Sequence, residues 1–355
     1  MNSSTEGSST GNHGRAGERA RRAHLVGSIP LADSETVFRT VAGVLGDHLR
    51  RIPDGETGTR SRWNSWTAPT YEQTAGLELV PPPPGSYTPW SQAALVIDPD
   101  ELVLARIGFA DAALDSYTRF ADLKAAGAIP LHARFQVCLP SPIAPMIVLI
   151  EPGSRAGVEP AHLRQLHSEI GEILAGIPHD QLAVQWDVCQ DVGIWEGFYP
   201  AYFDDTEKGV VERLRDCAEI IPADVEVGFH LCYGDFGHKH FMNPTDLGVC
   251  TEIINRVTAA SSRTIDWFHV PVPIDRDDAA YYAPLAALAL GATTELYLGL
   301  IHFGDGIEGA KRRIASAHSY VPSFGVGTEC GFGRRPPETI EPLLTLHADV
   351  ARLVG

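Results

Sequence analysis

No stretch of this chain is apolar for long enough to cross a membrane. A spanning helix needs roughly 18–20 such residues. The nearest approach, PLAALALGA at 284–292, is too short and carries a helix-like pattern. Positive charge is scarce as well: 28 Lys and Arg stand against 45 Asp and Glu, a net charge of −17. That balance excludes the basic footprint by which proteins hold nucleic acid or an anionic lipid surface. Cysteine is sparse, six in 355 residues, which argues against a disulfide framework. Most of the six are expected to be small buried hydrophobes. The first strand lacks a G-x-G-x-x-G fingerprint after it, which weakens a dinucleotide-binding reading. The N-terminus, MNSSTEGSSTGNHGRAGERARR, has no apolar core of the kind a secretory signal needs, and Glu6 and Glu18 speak against a mitochondrial presequence. Residues 1–22 are therefore expected to be a disordered tail and the protein to be cytoplasmic.

What the chain does have is alternation. Short apolar runs fall at 24–28, 49–53, 132–139, 182–188, 225–232, 265–272, 295–301 and 324–330. Amphipathic stretches follow at 33–46, 159–175, 206–221, 244–259, 278–290, 306–319 and 337–353. Asp33 is a good N-cap for the first of these and Gly46 a plausible stop. Near-continuous apolar strands alternating with helices point to a parallel sheet covered on both faces. Eight such units over residues 23–355 predict an α/β protein with one (β/α)₈ barrel, a TIM barrel. The open doubly wound sheet is the competing architecture. A proline-rich insert follows the second strand. It occupies 61–95 and contains VPPPPGSYTPW, where four consecutive prolines exclude regular helix or sheet. Its position predicts a lid over the mouth.

Barrel enzymes place their chemistry at the C-terminal ends of the strands. Here those ends carry Ser28, Asp54, Glu56, Asp187, His230, Cys232, His269, His302, Glu329 and Cys330. His230 and Cys232 lie two apart on a strand and so project to the same face. An imidazole and a thiolate on one face suit zinc, and Cys330, at another strand end in GTECGFGRR, is the natural second thiolate. The bland alternative is a strand whose cysteine is core. His238 and His240 follow a turn-like GDFG and are read as loop histidines. Arg334 and Arg335 can hold a substrate carboxylate bidentately or can be simply exposed.

From about residue 23 onward, outside the proline-rich insert, the order of short motifs resembles the cobalamin-independent methionine synthase superfamily. These are zinc-dependent (β/α)₈ enzymes that alkylate thiols. LVGSIP (25–30), DGE (54–56), QWDV (185–188), HLC (230–232), LIHFG (300–304) and ECGFGRR (329–335) are similar to successive motifs of that family. H-x-C followed by a distant C-G is the specific part. The resemblance implies zinc (Zn²⁺) as cofactor, held by His230, Cys232 and Cys330. It places Ser28, Glu56 and Asp187 around a thiol substrate, with His302 as the acid/base residue. The family's methionine synthases add a glutamate ligand on the sixth strand. WFHVPVP has none here, so His269 is a tentative fourth ligand unless that position is open to substrate. Val188 stands where the family has Glu, and the chain has no room for a second barrel, which puts folate as donor in question.

The function expected is that of a zinc-dependent thiol S-alkyltransferase, a methyltransferase first. Its partners would be a small-molecule thiol and an alkyl or methyl donor, with neither nucleic acid nor membrane. A zinc hydrolase or lyase using activated water, a non-catalytic zinc-bound barrel and a metal-free decarboxylase-like barrel remain open on the residues alone.

Overall fold

The structure is a computed structural model that describes residues 22–82, 84, 90–235 and 239–354. The expected tail, Arg22 apart, lies outside the described residues, as does His238. Arg22 itself is tied down. Its guanidinium donates to Ser323 Oγ at 2.8 Å and to the Phe324 carbonyl at 3.1 Å.

Among the described residues nine strands follow one another: β1 (Arg51–Pro53), β2 (Leu77–Val80), β3 (Gln92–Leu95), β4 (Arg134–Pro140), β5 (Leu182–Val188), β6 (Glu226–Leu231), β7 (Trp267–Pro271), β8 (Glu295–Ile301) and β9 (Gly325–Thr328). Seven of them form a curled parallel sheet in the order β1-β4-β5-β6-β7-β8-β9, while β2 and β3 make a separate antiparallel pair. Every residue of β5 and of β7 is buried. That is why these strands read as unbroken apolar runs rather than alternating ones.

The expected strand at 24–28 is not a regular strand. Ala23 makes isolated parallel bridges to both Leu49 and Val326, and Ser28 to Gly55. The segment thus lies between β1 and β9, the two edges of the curl. Side chains explain why its ladder is interrupted. Gln136 Nε2 donates to the Leu25 carbonyl at 3.0 Å, and Gln185 Nε2 to the Val26 carbonyl at 2.5 Å. Those carbonyls, which a strand partner would use, are spent on glutamines that point in from β4 and β5.

Helix α1 (Ser34–Leu45) begins where the sequence places it, with Asp33 Oδ1 accepting from Thr36 N at 2.8 Å. It buries Val37, Phe38, Val41 and Leu45 against the sheet and its neighbours. The insert at 61–95 is more ordered than expected. A 3₁₀ segment at Gly58–Thr67, a short helix Ala68–Glu72 and the β2–β3 pair flank the prolines. Among the described residues, the helices with no counterpart in the sequence reading include Phe109–Ala125, Ile143–Leu149 and the short Gln190–Trp195. Phe109–Ala125 covers β4 with Phe109, Ala113, Phe120 and Leu123, and its periodicity is plain in retrospect. Ile143–Leu149 is buried at every position, so it carries no polar face to announce it. The helix expected at 278–290 shortens to Ala279–Tyr282 followed by a 3₁₀ turn.

The end opposite the site is plugged by charge. Arg51, 4% exposed, donates to Glu226 at 2.6 Å and to Glu295 at 2.9 Å, and its guanidinium lies 3.9 Å from the Trp267 ring. All three partners belong to the beginnings of β6, β7 and β8, so one arginine ties four strands together at their N-terminal ends.

Candidate active site

Parallel register aligns the first layer of the site. Asp187 pairs with His230 across β5 and β6, and His230 pairs with His269 across β6 and β7. Three polar side chains that are far apart in sequence thus lie side by side near the C-terminal ends of adjacent strands. Asp187, His230 and His269 are all buried.

One layer further out is the candidate metal group. The donor atoms of His230, Cys232 and Cys330 all lie within 4.8 Å of one another. A tetrahedral zinc with ordinary bond lengths sets its donors about 3.5–3.8 Å apart, so shifts of about 1 Å or less would bring the three onto one ion. His230 Nε2 is buried and has no hydrogen-bond partner. Burial, and then His269, keeps the His230 ring neutral, the form that binds metal. The Cys232 thiol is held above the ordinary range by its contact with the Cys189 thiol and by burial. Cys330 is held there by its contact with Cys232 and by burial. A divalent cation among them would reverse that preference outright. The donor set, two sulfurs and an unpartnered imidazole nitrogen, therefore fits zinc.

His269 does not join this group. Its Nδ1 lies 2.7 Å from His230 Nδ1, on the far side of that ring from Nε2. The tentative fourth ligand is thus a contact of His230 and not a member of the group. The reason is depth: His269 sits in register with His230, one layer below Cys232, and is completely enclosed.

Cys232 and Cys330 form the wall of a cavity together with His240, His302, Glu329 and Arg335. His302 Nε2 lies 2.7 Å from the Val272 carbonyl oxygen. A carbonyl only accepts, so Nε2 carries the proton and Nδ1 the lone pair. Burial lowers the His302 pKa, against the opposing charge of Glu329. His240, expected in a loop, is drawn into the wall by an ion pair to Glu329 at 3.1 Å. Burial opposes its protonation, but the hydrogen bond and charge of Glu329 prevail and raise its pKa. The two arginines part company. Arg334 pairs with Asp235 at 2.6 Å, whereas Arg335 lines the cavity.

A second, acidic cluster adjoins the first through Ser28. A β-carbon on Gly331 would stand 2.4 Å from Ser28 Oγ, so only glycine lets the chain pass directly after Cys330. On the other side of Ser28, a β-carbon on Gly27 would meet Cys138 Sγ at 3.2 Å and Glu56 Oε2 at 3.4 Å. Glu56 has a left-handed backbone, φ 46°, which is strained for a residue with a side chain. Its turn is braced by Asp54, which accepts from Glu56 N at 2.9 Å, from Arg60 at 2.6 Å and from Ser116 at 2.7 Å. Asp187 accepts from Gln185 Nε2 at 2.9 Å and from Trp63 Nε1 at 3.0 Å. Trp63 also has positive φ, 50°. It shows that the start of the insert reaches the mouth.

Burial raises the Glu56 pKa well above its usual value, and the charges of Asp187 and Asp54 add to this. Burial also lifts Asp187 to about 7, against the two donors that favour its anion. With Arg60 committed to Asp54, this pair of buried carboxyls is short of positive charge. Such a site is suited to an ammonium group.

Of the residues read from the sequence, His230, Cys232 and Cys330 lie together, His302, Glu329 and Arg335 share a cavity wall with the two cysteines, Ser28, Glu56 and Asp187 belong to the adjoining acidic cluster, and His269 lies against His230 instead of with the thiols. The sequence reading missed Cys189, Cys138, Trp63, Arg60, Gln185 and His24. Of these only Arg60, four residues past the DGE element, had a local signal.

No protein-family model and no curated protein sequence matches this chain. Among solved structures, it is similar to a presumptive vitamin-B12-independent methionine synthase from Listeria monocytogenes. The TM-score is 0.58 at 16% identity, over 94% of this chain and 98% of that one. The two share a fold. A methyltransferase from Methanosarcina mazei also aligns over 94% of this chain and 96% of its own, at 10% identity and a TM-score of 0.46. Among the described residues, no helix is long and apolar enough to cross a membrane.

Proposed function

We propose that this protein is a zinc-dependent thiol S-alkyltransferase, with a methyl group the first candidate for transfer. One observation carries the reading. Two thiols on the wall of a cavity that His302 also lines have their sulfurs within 4.8 Å of a ring nitrogen of His230, whose buried Nε2 has no hydrogen-bond partner. Zinc held by His230, Cys232 and Cys330 would keep a substrate thiol deprotonated and nucleophilic at neutral pH. In this reading the segment at 23–29 acts as the eighth stave of a closed barrel.

The remaining groups have distinct tasks. Glu56 and Asp187 hold the ammonium of an amino thiol, Ser28 fixes the turn between the two halves of the site, and Arg335 is placed for a carboxylate on the same substrate. His302, neutral with its lone pair on Nδ1, accepts the thiol proton. The sulfur electron pair forms the new S–C bond as the bond from that carbon to its leaving group breaks. His302 then returns the proton to the leaving group. Burial of these groups excludes the water that would compete for the alkyl donor.

Zinc content after metal-free purification and reconstitution tests the reading. The wild-type chain is expected to retain one zinc, and the Cys232→Ser, Cys330→Ser double variant to lose it. Zinc-edge X-ray absorption should gain a sulfur scatterer when an amino thiol is added. Equal zinc in both proteins, or no new sulfur with any thiol, would overturn it.

A further inference from the structure

His269 belongs to no catalytic group, yet its surroundings are built for it. Its ring lies between strands that carry glycine where a side chain would collide. A β-carbon on Gly299 would meet His269 Cε1 at 3.1 Å, and one on Gly327 would meet His269 Nε2 at 3.3 Å. The His24 ring packs against it with centroids 5.4 Å apart. His24 is itself fixed. Gln185 Nε2 donates to Asp187 and to the Val26 carbonyl, so Gln185 Oε1 accepts from His24 Nε2 at 2.8 Å. A buried polar floor therefore runs from Asp187 through Gln185 and His24 to His269, beneath the metal group.

The 2.7 Å contact between His230 Nδ1 and His269 Nδ1 requires a proton on one nitrogen and a lone pair on the other. The free nitrogen of His230 is Nε2. If Nε2 is to bind a cation, the one proton of the neutral ring must reside on Nδ1 and be donated to His269 Nδ1. His269 then carries its own proton on Nε2. A metal-bound histidine is commonly oriented in this manner by a carboxylate or carbonyl; here a second imidazole does it.

We infer that His269 is a positioning residue: it fixes the tautomer and ring orientation of His230, so that Nε2 presents a lone pair beside Cys232 and Cys330. This rests on the zinc reading above for its purpose, but the tautomer is a property of the metal-free chain.

Two measurements decide it. The first is the ¹⁵N shifts of the histidine rings in the metal-free wild-type protein, assigned with a His230→Asn variant. A His230 ring protonated on Nδ1 supports the inference, and one protonated on Nε2 overturns it without any change to His269. The second is zinc affinity by chelator competition in His269→Leu and His269→Asn, with the thermal midpoint of each metal-free variant as a control. Loss of the acceptor in His269→Leu should weaken zinc binding about 10–100-fold. Asparagine, whose Oδ1 can accept the same hydrogen bond, should recover most of it. A folded His269→Leu protein that binds zinc as tightly as wild type refutes the role. A wild-type chain that takes up no zinc refutes the zinc reading instead, and the metal-free tautomer then stands as the test of His269.

Discussion

Replacing Asp187 by asparagine separates what the acidic cluster costs the fold from what it does for a ligand. Asp187 is 6% exposed and its pKa lies at about 7, against 3.8 for a free aspartate. A carboxyl with a raised folded pKa binds more protons in the folded than in the unfolded chain. Wild-type stability therefore falls as pH rises from about 4 to 7 and is level above that. The shift is about 3 units, or about 4 kcal/mol at most at pH 8. Asparagine cannot ionise and is spared this cost. Its Oδ1 keeps the bond from Gln185, but its amide meets the Trp63 N–H donor to donor, which costs about 1 kcal/mol. The variant should thus be more stable than wild type by about 3 kcal/mol at pH 8. At pH 4, where the wild-type carboxyl is protonated too, it should be equal or slightly less stable. For a chain of 355 residues that is a rise of about 4 °C in thermal midpoint at pH 8, readable by scanning calorimetry at both pH values. An amino thiol added at pH 8 should stabilise wild type and leave the variant nearly unchanged. A gain no larger at pH 8 than at pH 4 would refute the view that Asp187 is a buried acid awaiting a cation.

Two further outcomes follow from the same geometry. His302→Gln, which removes the titratable nitrogen while leaving the metal group intact, should lower kcat about 10²–10⁴-fold with zinc content unchanged; a loss confined to KM would mean that His302 only binds. Arg51→Met leaves Glu226 and Glu295 without their shared partner at the far end of the sheet. It should destabilise the chain by about 3 kcal/mol in denaturant melts without altering zinc affinity, and a neutral result would show that Arg50 and Arg134 carry that network alone.

Much of this protein was legible in its sequence because parallel strands buried on both faces leave long apolar runs. β5, β6, β7 and β8 fall within a few residues of where those runs lie. The candidate metal group was legible because two of its members, His230 and Cys232, lie two residues apart at the end of one strand. The helix at Ile143–Leu149 was not, since a segment buried on all sides has no periodicity to read. The segment at 24–28 was legible only as an apolar run. Its carbonyls go to Gln136 and Gln185 rather than to a ladder, and nothing local in LVGS reports on glutamines more than a hundred residues away.

The alternation of strand and helix, the acidic charge balance and the donor types available to a metal are carried by the sequence alone. Tertiary structure alone decided which of those residues meet. Register between parallel strands put Asp187, His230 and His269 in one row. Depth below that rim made His269 a neighbour of His230 and not of the thiols, and the close passage of Gly331 over Ser28 joined the thiols to the carboxyls. These are contacts between chain segments tens to hundreds of residues apart. They are set by how strands pair and how far each side chain lies from the C-terminal rim of the sheet, quantities that no local spacing encodes.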